Sequence, residues 1–381
     1  MSIKTLSKKM LAIVAAGAMT MGLAMPTSVF AAEGDTATKV TEAYISKTFN
    51  TEVGKDETFS FTATQNTEGT GLVETAASVT IPDISFTTAQ TGTTKQRAKV
   101  NFPTYTEAGK YEYTVTETAA TPTIDGDHQK MIMSKAVYTM DVYVSNVGNG
   151  YEISNIIVNK TKNDKGTADT GKVDISNTDK NGFNFTNTYV QEAGTGTDPT
   201  TPDPDYKTYG SLNVSKKIDA NKGTPDTAKQ FDFTATFTFP AGTDATTLGG
   251  VKGNGAAITI NPDGTYSFKL RTAESMKFTG VPVGTKISVV ESATPNYKGS
   301  AAVVINGTTQ NPVTATKYDE ALTVSDKSLG QKKNTVDVTN TYNYVPTTGI
   351  IMNTLPYVLM IALCGVALIA FVGFKRRRLQ K

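Results

Sequence analysis

Alternating apolar and polar residues recur along this chain in short runs bounded by turn residues, and between residues 40 and 345 few segments carry a helical apolar period. Two runs set the pattern, Phe183-Asn184-Phe185-Thr186-Asn187-Thr188-Tyr189 and Val336-Asp337-Val338-Thr339-Asn340-Thr341-Tyr342. At a strand's period of two, Asn187 shares a face with Phe183, Phe185 and Tyr189, and Asn340 with Val336, Val338 and Tyr342. Matched pairs stand upstream: Ile45-Ser46-Lys47-Thr48-Phe49 against Val214-Ser215-Lys216-Lys217-Ile218, and Tyr113-Thr114-Val115-Thr116-Glu117 against Ile287-Ser288-Val289-Val290-Glu291. In each, one charged residue (Lys47, Lys216, Glu117, Glu291) keeps the apolar parity, whereas Lys217 has the solvent parity. Phe59 and Phe61 correspond to Phe231 and Phe233, which extends the repeat.

The periodicity predicts strands at 43–49, 58–64, 76–81, 99–102, 109–117, 136–145, 151–159 and 183–189, then at 211–218, 230–239, 257–260, 266–270, 276–279, 286–291, 301–305 and 335–342. Eight short strands twice over, with frequent turn signals, predict an all-β chain of two tandem immunoglobulin-like β-sandwich domains. The domains are expected at 32–190 and 207–344. Residues 191–206, polar and holding Pro199, Pro202 and Pro204, are expected as a linker.

Both ends carry other signals. Lys4, Lys8 and Lys9 precede an apolar run from Met10 to Met25, and small residues around Ala31 complete a secretory signal peptide over 1–31, cut after Ala31 or Ala32. Residues 350–374 are apolar over more than the about 20 residues a spanning helix needs, and Lys375, Arg376, Arg377 and Arg378 hold the tail on the cytoplasmic side.

Composition narrows the function. The 381 residues carry 37 basic and 35 acidic side chains, a balance that gives no case for a nucleic-acid partner. The only cysteine, Cys364, lies in the span, so disulfides and a thioester are excluded. The only histidine, His128, reads as a solvated loop residue and leaves Ser-His-Asp catalysis and a multi-histidine zinc site without parts. No cofactor or metal is expected.

What remains is a core that holds Lys, Glu and Asn twice. Burial lowers an amine pKa and raises a carboxyl pKa, which opens access to the neutral pair. A neutral amine attacks a carboxamide; the protonated carboxyl donates to the carbonyl and passes a proton to the departing ammonia. The expected products are the amide crosslinks Lys47–Asn187, formed with Glu117, and Lys216–Asn340, formed with Glu291. These are single-turnover reactions, and no further enzyme site is expected.

Val345-Pro346-Thr347-Thr348-Gly349, followed by the span and basic tail, resembles the cell-wall sorting signal of Gram-positive surface proteins (345–381). That resemblance implies sortase cleavage between Thr348 and Gly349, with the sortase class left open. The I-S-K, Y-x-Y-x-V-x-E and F-T-N stretches, with V-S-K, V-V-E and V-T-N after them, resemble the self-crosslinking backbone pilins of Gram-positive bacteria, in particular two-domain streptococcal pilins of the T-antigen kind. The likeness covers nearly the whole mature chain. Residues 278–284 are similar to a turn of collagen-adhesin B-type stalk repeats. The pilin likeness implies a shaft subunit joined by a pilin sortase from Thr348 to a lysine of the next copy. The matching lysine is Lys180, with Lys160, Lys165 and Lys172 as rivals. It further implies a covalent homopolymer at the cell surface, minor pilins, a housekeeping sortase, peptidoglycan and a host surface ligand as partners. The alternatives are a monomeric wall-anchored adhesin and a minor pilin of tip or base.

Overall fold

The structure, a computed structural model, describes residues 39–118, 124–344 and 357–368. The signal peptide, the motif at 345–349 and the basic tail lie outside the described residues. Residues 357–368 of the expected span are helical; among the described residues no helix is long and apolar enough to cross a membrane. The chain divides into two compact units, residues up to 191 with 240–244, and 192–239 with 245 onward.

In the first unit the main strands are β1 (Tyr44–Thr51), β2 (Phe61–Asn66), β3 (Gly92–Lys99), β4 (Gly109–Glu117), β5 (Gln129–Ile132), β6 (Val137–Val147), β7 (Gly150–Lys162) and β8 (Asn184–Gln191). One five-stranded sheet runs β3-β1-β8-β5 and ends on Asp125–Gly126; the other runs from Ala168–Lys172 through β7, β6 and β4 to β2. Phe61 of one sheet meets Phe185 of the other at 5.2 Å between ring centroids, and Tyr138 meets Phe183 at 4.9 Å, so the two sheets close over an aromatic core.

A short helix, α1 (Pro204–Tyr209), precedes the strands of the second unit: β9 (Leu212–Lys222), β10 (Phe231–Thr238), β11 (Thr265–Leu270), β12 (Ser275–Thr279), β13 (Lys286–Glu291), β14 (Tyr297–Ile305), β15 (Leu322–Ser328) and β16 (Thr335–Asn343). An eight-stranded sheet has β12-β9-β16-β14 as its centre and two-residue strands at its margins, and a four-stranded sheet runs β11-β10-β13-β15. In both units the opening and closing strands, β1 with β8 and β9 with β16, are parallel neighbours inside a sheet. A parallel pair demands a long crossover, and here nearly the whole domain supplies it.

Departures from the expected strands have local causes. Residues 76–81 bury Ala77, Val79 and Ile81 in alternation yet make only the single bridge Thr80–Asn101. The Gln65 side chain takes the place of a partner strand, accepting from Ala77 N–H at 2.7 Å and donating to the Val73 and Thr75 carbonyls. The strand expected at 99–102 is instead β3, which ends at Lys99; as an edge strand its residues stay half-exposed, so no apolar alternation announces it.

The first part of the segment 191–206, expected as a linker, is packed: 191–196 are buried, while most of 197–206 is exposed. Ala193 and Thr195 have no exposure, and Glu192 is buried while accepting hydrogen bonds from the Tyr206 hydroxyl, the Ser211 hydroxyl and Gly280 N–H. Gly194 sits at φ 82°, where a Cβ would lie 2.2 Å from the Gly210 carbonyl oxygen, so only glycine lets the chain pass there. Polarity misleads in this segment because its carboxylate finds three donors inside the unit.

Candidate functional site

Lys47 shares the core face of β1 with Ile45 and Phe49, and its side chain is wholly buried. In the parallel register Lys47 stands opposite Phe185, and Phe49 opposite Asn187. The offset of two residues, about 6.6 Å at ~3.3 Å per residue, is close to the reach of a lysine stem, which brings the ammonium level with the carboxamide. Glu117 arrives from the facing sheet as the last residue of β4, after the buried Tyr113 and Val115, with Phe61 as its cross-strand partner.

The three side chains meet on one atom. Lys47 Nζ donates to Glu117 Oε1 at 2.7 Å and Oε2 at 2.8 Å, and Asn187 Nδ2 donates to the same Oε1 at 2.6 Å. The Phe59 ring lies 4.1 Å from Nζ, over the ammonium. Burial draws the Lys47 pKa down to about 8 even though the Glu117 charge opposes it. Burial likewise pushes the Glu117 carboxyl up, against the pull of Lys47 and Asn187.

The second unit repeats the construction. Lys216 stands opposite Val338 and Ile218 opposite Asn340, the same offset of two. Lys216 Nζ donates to Glu291 Oε1 at 2.7 Å, and Asn340 Nδ2 donates to that oxygen at 2.7 Å. Phe231 covers the amine at 4.2 Å, and Phe233 is the cross-strand partner of Glu291. Burial lowers the Lys216 pKa to about 8 and raises that of Glu291.

In each site a single carboxylate oxygen touches both the nitrogen that would attack and the nitrogen that would leave. It is therefore placed to take a proton from one and give it to the other, whereas the carboxyl-to-carbonyl hydrogen bond expected from the sequence is not the arrangement found: the carboxylate faces the amide nitrogen. In the first site Ser134 N–H donates to Asn187 Oδ1 at 2.7 Å; an N–H can only donate, so the carbonyl end of that amide is identified by its partner.

Formation of a Lys–Asn amide here would require one proton on Lys and Glu together. When pH falls through the raised Glu pKa both groups carry protons and the amine cannot attack; when pH rises above about 8 the pair loses the proton that the departing ammonia needs. The rate of ammonia release from newly made chain is expected to be bell-shaped in pH, with its upper limb near 8 in both domains. A rate rising steadily to pH 10 in a stopped-time mass assay would contradict this proton inventory.

The other candidate residues are dispersed. Lys217 is exposed and pairs with Asp219 at 2.7 Å, as its parity requires. Lys180 is exposed on the turn before Asn181, and that turn is fastened where Asn181 Nδ2 donates to the Tyr44 and Ser176 carbonyls, each at 2.7 Å. Lys160 is half-buried and paired with Asp169 at 2.9 Å, while Lys165 and Lys172 are exposed. His128 is half-buried in a turn, not fully solvated. Val345, Pro346, Thr347, Thr348 and Gly349 lie outside the described residues. Among the described residues no group of three or more His, Cys, Asp or Glu side chains is placed to hold a metal ion.

Ser134 and Asp164 went unread in the sequence, Ser134 because its contribution is a backbone N–H and Asp164 because Asn163-Asp164-Lys165-Gly166 has the composition of an ordinary turn. The two phenylalanines over the amines left a signal, since the Phe-x-Phe repeat falls in register in the two domains.

Residues 38–190 match the family model described as the Spy0128-like isopeptide containing domain, and residues 210–342 match a domain of unknown function (DUF7601). The first domain is thus similar to the Spy0128-like isopeptide domain, in keeping with the resemblance to streptococcal-type pilins. No match is found among curated protein sequences. Similar solved structures include the major pilin from Streptococcus pyogenes, at 18% identity over 80% of this chain and 100% of that one with TM-score 0.33. The major pilin T3.2 from the same species matches at 18% identity over 80% and 99%, TM-score 0.29. The pilus-presented adhesin Spy0125 (Cpa) matches at 11% identity over 79% and 99%, TM-score 0.27.

Proposed function

We propose that this chain is the repeating shaft subunit of a covalently assembled cell-wall pilus, stabilised in each domain by a self-generated Lys–Asn isopeptide bond. The observation that carries the reading is the buried Lys–Glu–Asn constellation built twice around one shared carboxylate oxygen. The isopeptide-domain match over 38–190 supports it.

Each reaction begins from the neutral pair. The amine lone pair of Lys47 attacks Asn187 Cγ and a carbon–nitrogen bond forms; the attacking nitrogen gives up a proton through Glu117, the departing nitrogen receives one from it, and the Cγ–Nδ2 bond breaks. Ammonia leaves, and Glu117 ends with the proton it began with. Lys216, Asn340 and Glu291 act in the same way. The fold holds the reactants in contact, so proximity replaces an external enzyme. Intact mass of the exported chain is expected to fall short of its sequence mass by two ammonia molecules, with one shortfall vanishing on Glu117→Ala and the other on Glu291→Ala. A full sequence mass in the wild type overturns the crosslinks.

Between subunits, a pilin sortase cleaves after Thr348 and transfers the acyl group to Lys180 of the next copy, whose exposed amine on a fastened turn suits an acceptor. A housekeeping sortase then fixes the polymer to peptidoglycan, minor pilins complete it, and the precursor waits in the plasma membrane. Lys180→Arg is expected to abolish the ladder of covalent oligomers on denaturing gels and leave monomer. An unchanged ladder moves the linkage to Lys160, Lys165 or Lys172, and absence of any ladder in the wild type favours a monomeric adhesin or a minor pilin.

A further inference from the structure

The two crosslinking sites share their Lys, Glu and Asn but differ in what meets the carboxamide oxygen. In the first domain the chain leaves one sheet after β5 and enters the other at β6, and the crossing residues 133–136 pass over Asn187. Ser134 N–H there donates to Asn187 Oδ1 at 2.7 Å, while Met133 Sδ stands 3.2 Å from Nδ2.

Asp164 ties that crossing to the closing strand. Its Oδ1 accepts from the Ser134 hydroxyl at 2.6 Å and from Thr186 N–H, one residue before Asn187, at 2.8 Å; its own carbonyl accepts from Lys135 N–H at 2.9 Å. Ser134 Oγ in turn accepts from Ala136 N–H at 3.1 Å. The N–H and the carbonyl it faces are thereby held to one rigid frame.

In the second domain the crossing is complete before the chain reaches Asn340. The neighbour of the closing strand is the continuous β14, which sets Gly299 opposite Asn340; a Cβ at Gly299 would lie 3.2 Å from Asn340 Oδ1. Among the described residues no donor reaches Asn340 Oδ1, which is buried. Turning that amide over would set its oxygen against Glu291, where it could accept only from the protonated carboxyl, the same proton that the departing nitrogen needs.

We infer that the Ser134 backbone N–H is the oxyanion donor of the first site, that Asp164 is its positioning residue, and that the second site reacts without such a donor and therefore more slowly. The inference rests on the crosslinking reaction proposed above. When Lys47 Nζ bonds to Asn187 Cγ, the carbonyl π pair moves onto Oδ1, and the charge develops where the Ser134 N–H already points. When the carbonyl re-forms, the pair returns and the Cγ–Nδ2 bond breaks, releasing ammonia with the proton brought by Glu117. A donor in place before reaction needs no reorganisation at the transition state, and losing one costs about 10²–10³ in rate. At Asn340 the same charge falls on an oxygen without a fixed partner.

The test follows both crosslinks in full-length chain made by cell-free translation, quenched in acid at timed intervals and digested, with the Lys47–Asn187 and Lys216–Asn340 peptides quantified by mass spectrometry. The first crosslink is expected to appear at least about tenfold sooner than the second. Replacing the Ser134 amide by an ester, through incorporation of the corresponding hydroxy acid, deletes the N–H and is expected to slow the first crosslink about 10²-fold with the second unchanged. Asp164→Ala is expected to slow the first crosslink as well, and Asp164→Asn, which keeps an acceptor oxygen, to restore most of the rate; a merely structural lesion would not be rescued so selectively. Equal rates for the two crosslinks, or an ester variant as fast as wild type, overturn this inference alone. Absence of both crosslinks in the wild type overturns the crosslinking reading and this inference with it.

Discussion

Pulled from its two ends, the second domain carrying Lys216→Ala is expected to lengthen by roughly 400 Å before its chain is taut, whereas the unsubstituted domain barely extends. The estimate follows from the 124 residue steps between Lys216 and Asn340 (340 − 216), at about 3.3–3.6 Å per step. With the proposed crosslink in place, tension would enter along β9, cross from Lys216 to Asn340 and leave along β16, so the strands between them would bear no load. Without the crosslink, β9 and β16 are joined to one another only by their parallel ladder, which is loaded in shear and gives way with the rest of the sandwich. The first domain behaves differently in a fibre joined at Lys180. Tension then travels from Lys180 directly along β8, and the Lys47–Asn187 bond lies off that path. Lys47→Ala should therefore lower thermal and protease resistance with little effect on fibre length. Single-molecule pulling that finds the same lengthening for both variants, or none for Lys216→Ala, would sink this division of labour.

The two constellations were legible because a charged or carboxamide residue on the apolar parity is costly, and a cost incurred six times in the same order demands a common cause. Lys47, Glu117 and Asn187 could be assigned to one core, and Lys216, Glu291 and Asn340 to another, from period-two alternation alone. The strands that carry them were readable for the same reason: β4 and β13 alternate cleanly, with one face on the core. Less was visible at the edges. β3 and β15 are edge strands whose outward residues and terminal charges blur the alternation. The packing of Glu192 depends on donors from Tyr206, Ser211 and Gly280, which only the folded chain assembles. The Ser134 contact is a main-chain group brought in by a strand crossing, and residue identity carries no record of where a main-chain N–H points.

Removing Glu117 alone is expected to harm the first domain more than removing Glu117 and Lys47 together. Glu117→Ala would forfeit the proposed crosslink, which would close a loop of 140 residues (187 − 47) and by chain entropy stabilise by about 5 kcal/mol. It also strands the Lys47 amine beside Phe59 without its carboxylate, at a further cost of about 3–5 kcal/mol. The double variant Lys47→Met with Glu117→Leu loses the same crosslink but buries no unpaired charge. It leaves Asn187 Nδ2 with Met133 Sδ alone, at about 1–3 kcal/mol, and apolar packing offsets much of that. A net gap of a few kcal/mol should put melting of the double variant's first domain about 10 °C above that of Glu117→Ala. The pH dependence separates the two further. Lys47 has its folded pKa lowered to about 8 even beside Glu117, and lower still without that carboxylate, while the unfolded chain holds its proton up to about 10.5. Between those values the unfolded state binds more protons than the folded one, so Glu117→Ala should gain stability as pH rises from about 8 toward 10.5, and the penalty should be full below the folded pKa. The double variant, with no amine at position 47, should not show this rise. Calorimetry across that range in which the two variants melt together, or in which Glu117→Ala loses stability as pH rises, would contradict a buried, proton-shedding lysine at the centre of the site.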